Sequence, residues 1–206
     1  MKNPLRYQMT EYDCGPSSML NGISYLFERE EIPPEILRSI MLYCLDCFGA
    51  DGEGGKSGTS CTAMMFLSNW LNGFGQTGRL KIQSQYLSGE SVNFLQNSRL
   101  RDALQRGGTA VVRLDFEGWH YVLLTGLQGD AVRLFDPYYR AEPFADENLQ
   151  MVWDHPCEYN RIVPIRYLEK TVIEPYAFGP AAGREAVLLF NADTVLTAEK
   201  TVEYMI

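Results

Sequence analysis

Two observations predict an α+β protein. Apolar residues recur at helical spacing through roughly the first half of the chain, and three β-branched runs joined by short turns follow them. Helices first and strands after is the order of an α+β chain, here an N-terminal helical half packed on an antiparallel β-sheet half.

The elements follow in order. Residues 1–13 read as an extended arm. A first helix is predicted over residues 15–27, where Met19, Leu20, Ile23, Leu26 and Phe27 fall on helical spacing. Pro16 suits its first turn, where a missing N–H costs nothing. Pro33 and Pro34 open a second helix with Ile36, Leu37, Ile40, Met41 and Leu45 on one face. A polar, glycine-rich loop covers 49–58. Thr59 or Ser60 then caps a third helix through Ala63, Met64, Leu67, Trp70 and Leu71. Residues 73–78 read as a loop, 81–86 as a strand and 98–106 as an amphipathic helix stopped by Gly107 and Gly108.

Three runs at 109–116, 119–127 and 131–135 then predict an antiparallel meander, since Glu117-Gly118 and Gln128-Gly129-Asp130 are turn-forming connections. A short helix is expected over 147–153 and strands over 160–165, 186–190 and 201–206.

The totals narrow the function classes. A chain of 206 residues favours one domain, read as 1–166 with 167–206 as a C-terminal extension of strands packed on it. Lys plus Arg number 18 against 26 Asp plus Glu, a formal charge of −8. That balance argues against nucleic acid as partner, because phosphate binding needs a basic surface. No apolar run approaches the roughly 20 residues of a membrane span, and residues 1–7 lack the apolar core of a signal peptide. Five cysteines without framework spacing read as reduced thiols, so a cytoplasmic location is expected. The oligomeric state is not readable.

Chemistry concentrates in four places: Gln8, Cys14, Trp119-His120-Tyr121 and Phe135-Asp136-Pro137. A thiol is a strong nucleophile only as thiolate, which a paired imidazole and the start of a helix both favour. Cys14 stands at such a start. In a meander the second and third strands run oppositely, so the start of one meets the end of the next. His120 and Asp136 should therefore sit side by side at one rim, the carboxylate orienting the imidazole. Gln8 is the expected side-chain donor to an oxyanion. Blander uses exist for each. A free cysteine is most often a buried core residue, Asp136-Pro137 is a common turn pair, and Gln8 could be one polar residue in an arm. Their company favours chemistry. Of the two histidines, His155 lies in a turn-like Asp-His-Pro-Cys stretch and is the weaker choice.

Cys44, Cys47 and Cys61 make three sulfurs where a structural zinc wants four ligands, so no metal and no cofactor are expected. Residues 49–57 miss the phosphate-loop pattern, because Ala50 stands where its first glycine belongs. That loop is expected to border the cleft, and Trp119 with Tyr121, Tyr138 and Tyr139 to supply core and cleft wall.

The pattern Gln8…Asp13-Cys14-Gly15-Pro16, then Gly58-Thr59-Ser60, His120-Tyr121-Val122 and Asp136-Pro137, resembles the bacteriocin-processing, double-glycine leader peptidase-like family of bacterial papain-like cysteine peptidases. The resemblance covers about residues 5–165. It implies a papain-like fold, with Cys14 as nucleophile, His120 as general base and acid, Asp136 as orienter and Gln8 as oxyanion donor. A peptide or protein substrate would lie in a cleft against Gly58, Thr59 and Trp119. Two alternatives stand beside hydrolysis: transfer of the acyl group to an amine or thiol, and a non-catalytic peptide-binding module.

Overall fold

A computed structural model describes residues 1–95, 97–115 and 118–193. One seven-stranded sheet, antiparallel at every pairing, divides two hydrophobic cores. Its strands are β1 (Ile82–Ser88), β2 (Thr109–Asp115), β3 (Trp119–Gln128), β4 (Ala131–Phe135), β5 (Gln150–Met151), β6 (Arg161–Pro164) and β7 (Glu185–Asn191), in the spatial order β1-β7-β2-β3-β4-β6-β5. The expected α+β class is what the chain adopts, and the β2-β3-β4 meander forms.

On one face lie α1 (Cys14–Leu26), α2 (Pro34–Cys44) and α3 (Cys61–Gln76). Met19, Ile23, Ile40, Met64 and Leu67 pack there against Val111, Tyr121, Leu123 and Leu189. The other face carries α4 (Arg99–Gln105) and the segment holding Tyr176 and Phe178, packed on Val112, Val122, Leu124 and Leu188. Alternate side chains of β2, β3, β4 and β7 therefore feed opposite cores, as strand geometry demands. A short α5 (Ile165–Leu168) follows β6.

Four local readings differ. Helix α2 buries only Ile36, Ile40 and Cys44, while Leu37 and Met41 are 46% and 45% exposed. A helix lying over its neighbours along a single i, i+4 row covers one narrow stripe and leaves the flanking apolar residues open. Helix α3 runs on through Gly73 and Gly75 instead of stopping. A Cβ at Gly75 would stand 2.1 Å from the Ile82 carbonyl oxygen, so this glycine lets β1 press against the helix rather than ending it. Residues 150–151 form strand β5 on β6, not a helix, because pairing with β6 outweighs a weak helical pattern. Beyond β6 the expected strand turns into α5 at Ile165.

Strand β7 lies between β1 and β2, and all seven of its residues are buried. The strand expected over 201–206 lies outside the described residues.

Candidate active site

Cys14 opens α1, and Asp13 precedes it without giving the helix a side-chain cap. The Asp13 carboxylate turns back instead. It accepts the N–H groups of Met9 at 3.0 Å and Thr10 at 2.6 Å, and the Thr10 hydroxyl. Burial opposes its charge, but these donors outweigh it, and the acid is held below the usual carboxylate range. With Pro16 lacking an N–H and Ser17 N–H bonded to the Asp13 carbonyl at 3.0 Å, the first helical N–H groups belong to Cys14 and Gly15. Gly15 is needed for contact: a Cβ there would come within 2.1 Å of Thr59 Oγ1.

Ser18, one turn after Cys14, donates its hydroxyl to the Tyr121 carbonyl at 2.9 Å. Tyr121 follows His120, so this single bond fixes the start of α1 against the start of β3. The Cys14 side chain stands near enough to the His120 imidazole to favour its protonated form. The ring meets Asp136 through Nε2, 2.8 Å from Oδ1.

Asp136 sits just after β4 and is 5% exposed. Its Oδ1 also accepts the Tyr138 N–H at 2.9 Å, and its Oδ2 accepts the Tyr176 hydroxyl at 2.8 Å. Asn160 clamps the backbone on both sides, accepting Asp136 N–H and donating to Asp136 O, each at 2.8 Å. Burial disfavours charge at both partners of the dyad. For His120 the Asp136 charge and hydrogen bond, then the Cys14 side chain, more than offset it, and the pKa is raised to about 10. For Asp136 the His120 charge and the donors at Tyr138 and Tyr176 overcome burial, and the carboxyl is held below its ordinary range. The pair is thus an imidazolium carboxylate over the neutral range.

The arm brings Gln8 to the same place. Gln8 N–H donates to the Pro137 carbonyl at 2.9 Å, tying the arm to the residue after Asp136. Asn21 of α1 holds the arm from the other side through two bonds with Arg6. Gln8 Nε2 gives one hydrogen to the Thr10 carbonyl at 2.8 Å, and its Oε1 is buried without a partner.

Two hollows meet at Cys14. One, of about 310 Å³, is lined by Gln8, His120, Trp119 and Tyr138. The second, of about 490 Å³, is lined by Gly58, Thr59, Trp119 and Arg113. Trp119 is 52% exposed and lies over the Arg113 guanidinium at 4.0 Å. Beneath the second hollow Glu185 of β7 takes Arg113, the Tyr86 hydroxyl at 2.7 Å and the Tyr121 hydroxyl. Six of the seven residues singled out from sequence line these two hollows, and Asp136 stands buried behind His120.

Sequence reading missed Asp13, Ser18, Asn160, Tyr176 and Glu185. Asp13 had a signal, since Thr10-x-x-Asp13 before an apolar run is a capping-type pattern. The others carry none, because their partners are distant in sequence. Of the remaining thiols, Cys47 and Cys61 also line the second hollow. Burial pushes Cys44 far above its ordinary range, and burial with Asp46 raises Cys47. Among the described residues no three His, Cys, Asp or Glu cluster as metal ligands, and no helix is long and apolar enough to cross a membrane.

No family model matches the sequence, and no curated protein matches it. Among solved structures, the crystal structure of a double glycine motif protease from an AMS/PCAT transporter in complex with the leader peptide is similar over 91% of this chain and 89% of that chain, at 14% identity and a TM-score of 0.42.

Proposed function

We propose that this protein is a papain-like cysteine peptidase that hydrolyses a peptide bond through Cys14, His120 and Asp136. One observation carries the reading. A helix-borne thiol faces, in one open hollow, an imidazole that a buried carboxylate holds through Nε2. Structural cysteines do not need that arrangement, whereas nucleophilic catalysis does.

In this reading the Cys14 thiolate attacks the carbonyl carbon of the scissile bond. The oxyanion forms beside the Cys14 N–H and the second Nε2 hydrogen of Gln8. The tetrahedral adduct collapses as His120 gives its proton to the leaving amine, leaving an acyl-enzyme. Water, deprotonated by His120, then releases the acid and returns the thiolate beside the imidazolium. Asp136 keeps the ring oriented and stays ionised. The hollows on both sides of Cys14 support an extended substrate passing over the sulfur, with Gly58, Thr59 and Trp119 as its walls.

The division into a domain over 1–166 and an extension over 167–206 belongs to the same proposal. The pairing of β7 within the sheet supports counting the extension with the domain.

An unbiased peptide-library cleavage profile tests the function, with Cys14→Ala as control. Cleavage at defined sequences that disappears in Cys14→Ala is expected. Diversion of product to an added amine would instead assign acyl transfer, and no Cys14-dependent turnover would leave a peptide-binding module.

A further inference from the structure

Tyr176 has an unusual place in the fold. It lies in the segment between α5 and β7, is 2% exposed, and adopts φ 63. A bulky side chain rarely takes that left-handed backbone, and such strain persists only where the surroundings hold it. Here Ala177 N–H bonds the Glu174 carbonyl at 3.0 Å, Phe178 N–H bonds the Leu168 carbonyl at 2.8 Å, and Phe144 packs edge-on at 5.6 Å. The result aims the phenol at Asp136, with O–H to Oδ2 2.8 Å.

Behind the phenol stands a buried cation. Arg161 of β6 is 1% exposed, gives Nη1–H to the Asn160 carbonyl at 2.8 Å, and stands close enough for its charge to act on the Tyr176 hydroxyl. The phenol thus donates to the carboxylate with a guanidinium charge beside it. A donor polarised in this way bonds an anion more strongly than a neutral hydroxyl alone. The groups facing Asp136 are then His120 from β3, the Tyr138 N–H beyond β4, Asn160 beside β6, and Tyr176.

We propose that Tyr176, backed by Arg161, is a positioning residue that holds Asp136 ionised and in line with His120, so the segment after the predicted peptidase domain completes its site. The inference rests on the peptidase reading. A tyrosine serving only as core filler needs neither the aimed hydroxyl nor the cation behind it.

The test reads the thiol and the imidazole, not turnover. Iodoacetamide alkylation of Cys14 is followed by peptide mass mapping across the acid range. The ring nitrogens of the two histidines are followed by NMR in ¹⁵N-histidine protein. Tyr176→Phe removes one donor from the carboxylate, which then binds its proton more tightly. The acid limit of Cys14 alkylation should rise by about one pH unit, roughly a tenfold change in proton affinity. The His120 nitrogens should shift while those of His155 stay put. Replacing Tyr176 by 3-fluorotyrosine, a stronger donor of nearly the same shape, should move the limit the opposite way, and it decides the matter should Tyr176→Phe not fold. A lower melting temperature with the acid limit and His120 signals unmoved would make Tyr176 a packing residue and overturn the inference alone. Unselective alkylation of Cys14 in the unaltered protein would overturn the peptidase reading, and this inference with it.

Discussion

Replacing His120 by glutamine removes a buried positive charge while keeping a polar side chain near Asp136. His120 and Asp136 are 11% and 7% exposed at their side chains, so solvent screens the pair little. The His120 pKa rises from 6.5 to about 10. At about 1.4 kcal/mol per unit, folding favours the imidazolium by roughly 5 kcal/mol. Asp136 keeps the Tyr138 and Tyr176 donors in the variant, so the loss should fall at the low end of that for a broken buried pair, about 3 kcal/mol. For a chain of this size that is roughly 6–12 °C in melting temperature.

The pH dependence gives the decisive signature. The folded imidazole has the raised pKa, so its contribution is complete below pH 6.5 and fades as pH climbs towards 10. The folded carboxyl has the lowered pKa. Its contribution is complete above the ordinary carboxylate range and is lost only as pH falls through the depressed value. Thermal melts followed by circular dichroism should show the largest gap between His120→Gln and the unaltered protein near pH 6, closing towards pH 10. A gap of the same size at both ends would mean that His120 is neutral in the folded protein, and the ion-pair account would fail.

Three further outcomes are expected. Gln8→Ala should lower turnover about 100- to 1000-fold with the Michaelis constant nearly unchanged, as loss of one oxyanion donor does; an effect confined to the Michaelis constant would make Gln8 a binding residue. At about pH 6, limiting iodoacetamide should label Cys14 ahead of Cys44, Cys47, Cys61 and Cys157 by mass mapping, and His120→Ala should largely erase that preference. Gly15→Ala should cost about 1–3 kcal/mol in a urea melt, because the new methyl collides with Thr59. Adding Thr59→Ala should return part of the loss, since it removes Oγ1 but leaves Cβ, which stands 2.8 Å from the methyl position; a Gly15→Ala protein as stable as the original would deny the close approach.

The sequence by itself determined the α+β class, most of the helices and the central meander, because these rest on short-range periods and turn residues. It also made the meeting of His120 with Asp136 readable, since two antiparallel neighbours joined by a tight turn leave little choice of which ends meet. The tertiary structure alone decided how Cys14 reaches that pair. By strand alternation His120 and Asp136 share parity with Val122 and Leu134, which face the core opposite α1. The sulfur therefore meets the ring at the rim of the sheet, set by the Ser18 bond to Tyr121, a pairing across 103 residues. Nor could local pattern place β7 between β1 and β2, or send Tyr176 and Arg161 behind Asp136. Those placements depend on which buried faces and polar groups satisfy one another once the whole chain is packed, and no window of neighbouring residues contains both partners.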